Sequence, residues 1–278
     1  MRAFEKHITV PPKAGTVMVI EKQYGPAGAK DWANIASGIV NIVKCTFGTG
    51  ALYEENILKE KNAIYKEFGL HPMIGGTLTE VAILNAGGYS QSHLQDYLQY
   101  AKTLGFTHLE FSDGTIYFPD DKRGDMIKMC IDAGFSVISE VGKKDPKKDA
   151  MIETPRRIEL MQKDLESGSE VVIIEARESG KGIGVMGKSG EVDFSELDVI
   201  INAVGLENTM VEAPDKSQQQ ALFMKYGPAV NVGNVQPQDI LSLGALRSGL
   251  RGDTISSLRV DQWKQYHSAV DAPSEYEL

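Results

Sequence analysis

Val171-Val172-Ile173-Ile174-Glu175 climbs through four apolar residues and stops on a carboxylate. Three other stretches end the same way: His108-Leu109-Glu110, Val137-Ile138-Ser139-Glu140 and Met210-Val211-Glu212. The four glutamates are spaced by 30, 35 and 37 residues. That is about the length of one strand–helix unit of a parallel α/β protein. An uncompensated buried charge is expensive, so a buried strand ends on a carboxylate when that end faces something cationic. Four successive strands doing so predict a ring of acids around one pocket at the strand C-termini.

Working outward, residues 16–20, 39–43, 70–74 and 229–232 read as further strands. Helical periodicities lie between them. Ile57, Leu58, Ile64, Tyr65 and Phe68 form one apolar face, and Leu94, Tyr97, Leu98, Ala101 and Leu104 another. Thr154-Pro155 marks a helix start, with threonine as the cap and proline at the first helical position. Gly105, Gly134 and Gly168 stand where helices should stop. Eight strands alternating with helices predict an α/β protein of the (β/α)8 TIM-barrel class, with an open doubly wound sheet as the alternative. Residues 1–260 read as one barrel domain and 261–278 as a polar C-terminal tail.

Composition narrows the function. With 29 Lys and Arg against 38 Asp and Glu, the formal charge is −9, which argues against a nucleic-acid surface. Two cysteines, Cys45 and Cys130, do not make a disulfide scaffold and fit a reducing compartment. The start, Met1-Arg2-Ala3-Phe4-Glu5-Lys6-His7, lacks the apolar core of a signal peptide, and no window is apolar enough for a membrane span. A cytoplasmic protein is expected.

Several motifs fail on their context. Gly182-Ile183-Gly184-Val185-Met186-Gly187 matches a dinucleotide fingerprint, but loop residues follow it rather than the required helix. The five histidines show no spacing for a zinc site. Cys45 reads as a small buried residue rather than a reactive thiol, and Arg251-Gly252-Asp253 as a turn.

Residues at barrel strand ends face the catalytic mouth. The candidates are Glu21, Lys22, Lys44, Glu110, Ser112, Asp113, Glu140, Lys143, Lys144, Glu175, Arg177, Glu178, Ser179, Glu212 and Asn231. Crowded carboxylates raise one another's pKa unless cations compensate. Lys44, Lys143, Lys144 and Arg177 supply part of that charge. A hard divalent ion would supply more, and oxygen ligands favour Mg²⁺. Simple pairing of these glutamates with neighbouring lysines is the alternative, as is a solvated role for Lys143-Lys144. Gly75-Gly76-Thr77, Ser179-Gly180-Lys181-Gly182 and Asn231-Val232-Gly233-Asn234 offer backbone N–H groups to an oxyanion. Together these residues predict an anionic, phosphorylated small substrate, Mg²⁺ and a lysine acid or base.

Eight segments then carry a resemblance: Val43-Lys44 leading to Phe47-Gly48-Thr49; Gly75-Gly76-Thr77-Leu78-Thr79-Glu80; Gly105-Phe106 leading to Glu110-Phe111-Ser112-Asp113-Gly114; Ser139-Glu140-Val141-Gly142-Lys143-Lys144; Val172 through Gly182; Glu212-Ala213-Pro214; Lys216-Ser217-Gln218-Gln219; and Leu250-Arg251-Gly252-Asp253-Thr254. In order and spacing, over roughly residues 15–255, they resemble the phosphosulfolactate synthase family, the first enzymes of a coenzyme M route. The chain departs from the family pattern at Glu21, Cys45-Thr46 and Asp215. Plant heat-stress-associated proteins resemble the same family.

The resemblance implies a (β/α)8 barrel, a homo-oligomer, and Mg²⁺-dependent addition of sulfite to phosphoenolpyruvate, giving (2R)-phospho-3-sulfolactate. It implies Lys144 as proton donor with Lys143 as alternate, beside Glu140. Glu140 and Glu175 are the implied magnesium ligands, with Glu110 or Asp113 assisting. Lys44, Arg177, Ser179 and Lys181 would hold phosphate and sulfite, with Ser112 and Asn231 as further substrate-binding candidates. The alternatives are a barrel enzyme acting on another phosphorylated three-carbon acid, and a non-catalytic stress-linked homologue.

Overall fold

The computed structural model describes Phe4, His7, Ile8 and residues 15–88, 90–270 and 272–276. Eight strands, β1 (Val17–Glu21), β2 (Ile42–Cys45), β3 (His71–Ile74), β4 (His108–Phe111), β5 (Ser136–Val141), β6 (Val171–Ile174), β7 (Thr209–Glu212) and β8 (Asn231–Val235), close into a barrel in chain order. Every neighbouring pair is parallel, and β8 pairs with β1. Helices intervene between successive strands, so the expected (β/α)8 barrel is what the chain forms.

The strands alternate two kinds of face, as the pleat requires. Met18, Ile42, Met73, Ile138, Ile173 and Met210 pack into one cluster inside the barrel. Val17, Val19, Val43, Val172, Val211 and Val232 point the other way and pack beneath the helices. Each of these side chains is at most 3% exposed, and burying one contributes ~1.5–3 kcal/mol. β8 presents glycine to the interior: a Cβ on Gly233 would stand 2.8 Å from Met18 Cε and 3.2 Å from Met210 Sδ. The two methionines fill the space that β8 leaves.

The second and eighth strands lie two to three residues later than the sequence reading placed them. Val40 ends up in a turn bridge with Ser37, and Asn41 Oδ1 accepts from the Val17 N–H at 2.9 Å. Ile39 and Val40 close the preceding helix, Pro26–Ala36, their N–H groups donating to the Ala36 carbonyl at 2.9 and 3.0 Å, rather than opening the strand. The long helix before β6, Thr154–Glu166, begins at Thr154 itself, with Glu153 as its cap, one residue earlier than expected. Gly105, Gly134 and Gly168 do stop helices, each at positive φ. The segment after Met186 is turn and bridge, and the next helix, Phe194–Val204, starts seven residues past the glycine motif.

The expected tail, 261–278, begins within a helix, Val260–Ala269, and His267 lies between Trp263 and Tyr276, at ring distances of 4.2 and 5.4 Å. Asp271, Glu277 and Leu278 lie outside the described residues, as does most of the N-terminal segment read for a leader. No helix among the described residues is long and apolar enough to cross a membrane.

Candidate active site

Strand parity decides which strand-end charges meet. On β2, β4, β5, β6 and β7 a charged residue follows an interior residue by two: Ile42 and Lys44, His108 and Glu110, Ile138 and Glu140, Ile173 and Glu175, Met210 and Glu212. All five charged side chains therefore enter the mouth of the barrel. Glu21 breaks the rule. It stands three residues after Met18 and faces outward, where Lys61 Nζ donates to it at 2.7 Å and Tyr65 Oη at 3.0 Å. The Gln23 and Tyr24 N–H groups, each at 2.7 Å, complete it.

The mouth opens into a cavity of about 650 Å³. Its lining includes Lys44, Thr46, Phe47, Gly75, Gly76, Thr77, Glu110, Thr115, Lys144, Glu175, Arg177, Glu178, Ser179, Glu212 and Asn234. Lys44 Nζ pairs with Glu110 and lies 3.4 Å from Glu212 Oε1. Lys144 Nζ donates to Glu140 Oε1 at 2.9 Å and also to Glu175 Oε2. Glu110 Oε1 accepts from the Gly76 N–H at 2.9 Å. Glu212 Oε2 accepts from the N–H groups of Ala176 and Arg177 at 2.9 and 3.0 Å. Glu140 Oε2, fully buried, has no hydrogen-bond partner among the described residues.

Four buried carboxylates thus face two ammonium groups, and the charges do not balance. Burial, reinforced by Glu140 and Glu212, pushes the Glu175 carboxyl well above the usual carboxylate range. Burial likewise raises Glu110, against the pull of Lys44. Burial would also raise Glu140, but Lys144 and Lys44 outweigh it and hold that carboxyl at about 2. Burial alone would lower Lys44 and Lys144. The carboxylates around them prevail and keep both charged. Oxygens of Glu140, Glu175 and Glu212 lie within 4.8 Å of one another, so this buried triad can hold a metal ion.

The expected residues do not all gather here. Asp113 stands outside the triad: Arg123 Nη1 donates to its Oδ1 at 3.0 Å and Lys143 Nζ to its Oδ2 at 2.6 Å. Lys143 is accordingly turned away from the cavity that Lys144 lines. Glu110 is occupied by Lys44 and Gly76 rather than by the triad. Ser112 lies behind Gly76, its hydroxyl donating to the buried Glu80 at 2.7 Å. Lys181 is exposed and does not line the cavity, whereas Arg177 and Ser179 do.

Asn231 is at the opposite end of the barrel. It begins β8, where its Oδ1 accepts from the Thr16 N–H at 2.8 Å and its amide donates to the carbonyls of Glu207 and Thr209 at 3.0 Å. The cavity asparagine is Asn234, at positive φ, donating to the Arg177 carbonyl at 3.2 Å. Placing the eighth strand too early exchanged the two.

Arg123 and Asp149 had no sequence signal, and Glu80 entered only as the end of a resembling segment, although each is buried and supports a loop of the mouth. Glu80 accepts from the N–H groups of Thr115 and Ile116 at 2.8 and 2.9 Å. Asp149 accepts from those of Lys143 and Gly184 at 2.9 and 2.8 Å. Over the mouth, Lys22 from the β1 loop pairs with Glu178 from the β6 loop and stands 5.0 Å from the Phe47 ring centre.

Residues 6–253 match the family model for (2R)-phospho-3-sulfolactate synthase (ComA). The chain belongs to this family. It is 40% identical over 250 residues to the phosphosulfolactate synthase of Methanothermobacter thermautotrophicus, covering 90% of this chain and 95% of that one. Identity to the phosphosulfolactate synthase of Methanocaldococcus jannaschii is 39% over 258 residues, 93% and 100% of the two chains. Among solved structures, 3-hexulose-6-phosphate synthase from Salmonella typhimurium superposes with a TM-score of 0.52 at 13% identity, over 83% of this chain and 97% of that one, and shares the fold. The chain is therefore an enzyme of the phosphosulfolactate synthase family, a family of carbon–sulfur lyases, as the eight segments implied.

Proposed function

We propose that this enzyme adds sulfite to phosphoenolpyruvate to give (2R)-phospho-3-sulfolactate, with Lys144 as the proton donor and Mg²⁺ at the Glu140–Glu175–Glu212 triad. The observation that carries this reading is a charged Lys144 ammonium, held between two buried glutamates, at the wall of a cavity that Lys44, Arg177, Ser179 and Asn234 line beside Glu110, Glu178 and Glu212. Sulfite sulfur forms a bond to the methylene carbon of phosphoenolpyruvate. The double-bond electrons move to C2 and into the adjoining carboxylate. Lys144 Nζ transfers a proton to C2, and the amine regains one from solvent. A positioned general acid contributes ~10²–10⁴ in rate.

The residues fit magnesium. The triad offers oxygen ligands alone, one of its atoms lacks a partner, and the site carries excess negative charge. Bound there, the ion would stabilise negative charge developing on the substrate carboxylate. Lys44 stays charged and offsets Glu110 and Glu212. Arg177 and Ser179, which line the cavity, hold phosphate and sulfite. Assembly as a homo-oligomer and a cytoplasmic location belong to the same proposal, checked by light scattering and cell fractionation.

Mixing protein, Mg²⁺, phosphoenolpyruvate and sulfite should abolish the ultraviolet absorbance of the enol ester. Persistent absorbance with a folded sample sinks the reading. Lys144→Ala should lower turnover by at least ~10²-fold while the protein stays folded. Wild-type turnover in that variant moves the acid role elsewhere.

A further inference from the structure

The β4–β5 corner of the cavity contains contacts that the reaction above leaves unused. Ser112-Asp113-Gly114 follows β4, and Gly142-Lys143-Lys144 follows β5. The two loops are braced against each other. The Lys144 N–H donates to Gly114 O at 2.9 Å. Lys143 Nζ donates to Asp113 O at 2.7 Å and to Asp113 Oδ2 at 2.6 Å. Arg123 joins Asp113 to the Glu140 carbonyl, at 3.0 and 2.8 Å, and is itself fixed by a two-point fork on Asp164 at 2.6 and 2.7 Å. Neither loop can retreat from the other without breaking these bonds.

Gly114 faces the methylene stem of Lys144 across this brace. A Cβ built on Gly114 would stand 3.1 Å from Lys144 Cγ, 3.2 Å from Cε and 3.5 Å from Cδ. Comfortable carbon–carbon contact begins at about 3.5 Å. Gly114 is not among the positive-φ glycines, so its backbone admits alanine. What the position requires is the missing side chain, not glycine's conformational freedom. The far end of the lysine is tethered between Glu140 and Glu175.

Building on the proton-donor role of Lys144 given above, we propose that Gly114 is a positioning residue. Its bare Cα is the seat on which the Lys144 stem lies, and this seat sets where the ammonium stands in the cavity. Lys143 serves as the strut that holds the seat in place. Because the loops are braced, an added methyl group displaces the flexible stem and not the backbone. Misplacing a reacting group by a fraction of an ångström to 1 Å costs ~10–10²-fold in rate.

The test is a double-mutant cycle in the full-length protein loaded with Mg²⁺. Gly114→Ala should lower kcat ~10–100-fold, shift KM for phosphoenolpyruvate less than ~3-fold and keep Tm within ~3 °C of wild type. Lys144→Ala and Gly114→Ala/Lys144→Ala should share one residual rate, because the added methyl has no stem left to displace. A small alkylamine should rescue both equally. Wild-type kcat in Gly114→Ala overturns the proposal. So does an equal fractional loss on the Lys144→Ala background, or a Tm fall beyond ~10 °C. Wild-type turnover in Lys144→Ala instead sinks the proton-donor reading itself. An inactive Lys144→Ala beside a fully active Gly114→Ala overturns the seat alone.

Discussion

The two ends of this barrel hold polar side chains in opposite ways. At the floor, Asn231 spends its carbonyl on Thr16 and its amide on Glu207 and Thr209. His108 is stacked on His71 with ring centres 4.6 Å apart, and its Nδ1 lies 3.0 Å from the Thr107 hydroxyl. At the mouth, four glutamates share two lysines and Glu140 Oε2 is left over. Satisfied buried polar groups stabilise a fold, and unsatisfied ones cost ~1–3 kcal/mol or more. The floor is therefore built for the fold, and the mouth keeps its unmet electrostatic demand for a ligand. Glu21 sharpens the contrast. It ends a strand at the level of the mouth, yet its outward direction gives it a complete set of partners.

This contrast breaks most sharply at Glu21. Glu21→Ala leaves the buried Lys61 ammonium, among the described residues, with the hydroxyl and ring of Tyr53, at 2.8 and 4.0 Å. Removing one partner of a buried pair costs ~3–5 kcal/mol. Urea denaturation should show that loss, while the protein that remains folded keeps its Mg²⁺ dependence. Stability within 1 kcal/mol of wild type would erase the distinction drawn between Glu21 and the ring.

Glu175→Gln is the mirror experiment. Activity should fall by at least ~10²-fold. Without divalent ions, stability should hold or rise by ~1 kcal/mol, because one of several mutually repelling carboxylates is gone. Mg²⁺ at a hundred times its Kd should stabilise wild type by ~2.7 kcal/mol and this variant by much less. A stability loss like that of Glu21→Ala would make the ring a structural device.

Asn231→Ala should cost ~2 kcal/mol, through the orphaned Thr16 N–H and the β7 and β6–β7 carbonyls. Its kcat and KM should match wild type. An altered KM would return Asn231 to the substrate.

The floor should also show a pH slope. Burial, with His71 adding to it, lowers His108 from 6.5 to about 4. The folded state keeps the ring neutral while the unfolded chain takes up a proton. The contribution of His108 is thus fully present above pH 6.5 and is lost as pH falls towards 4. His108→Phe should flatten the stability curve across that window by up to about one proton, and an unchanged slope would assign the acid sensitivity to another group.

The barrel was legible because its evidence is periodic: apolar runs at unit spacing, with glycines stopping the helices between them. The acid ring was legible because four runs end alike. Direction was the missing variable. The side-chain period of a strand is two, so a glutamate two residues past an interior residue enters the mouth and one three residues past it leaves. Applied to Met18, that count sets Glu21 apart. A slip of three residues at the end of β8 was enough to exchange Asn231 for Asn234. Lys144 and its alternate Lys143 follow the same strand, and only the folded β4 loop shows that Lys143 braces Asp113 while Lys144 lines the cavity. Glu80, Arg123 and Asp149 form pairs between elements far apart in the chain, and no local pattern records such pairs.

The Lys22–Glu178 pair joins loops from strands three staves apart, above the cavity, and both side chains are substantially exposed. Exposed pairs are screened by salt over a Debye length of about 8 Å at physiological strength, whereas buried ones are largely shielded from it. Ionic strength consequently acts on this doorway before it reaches the chemistry. Added neutral salt loosens this exposed crossbar and leaves the buried Lys44–Glu110 pair beneath it largely unscreened.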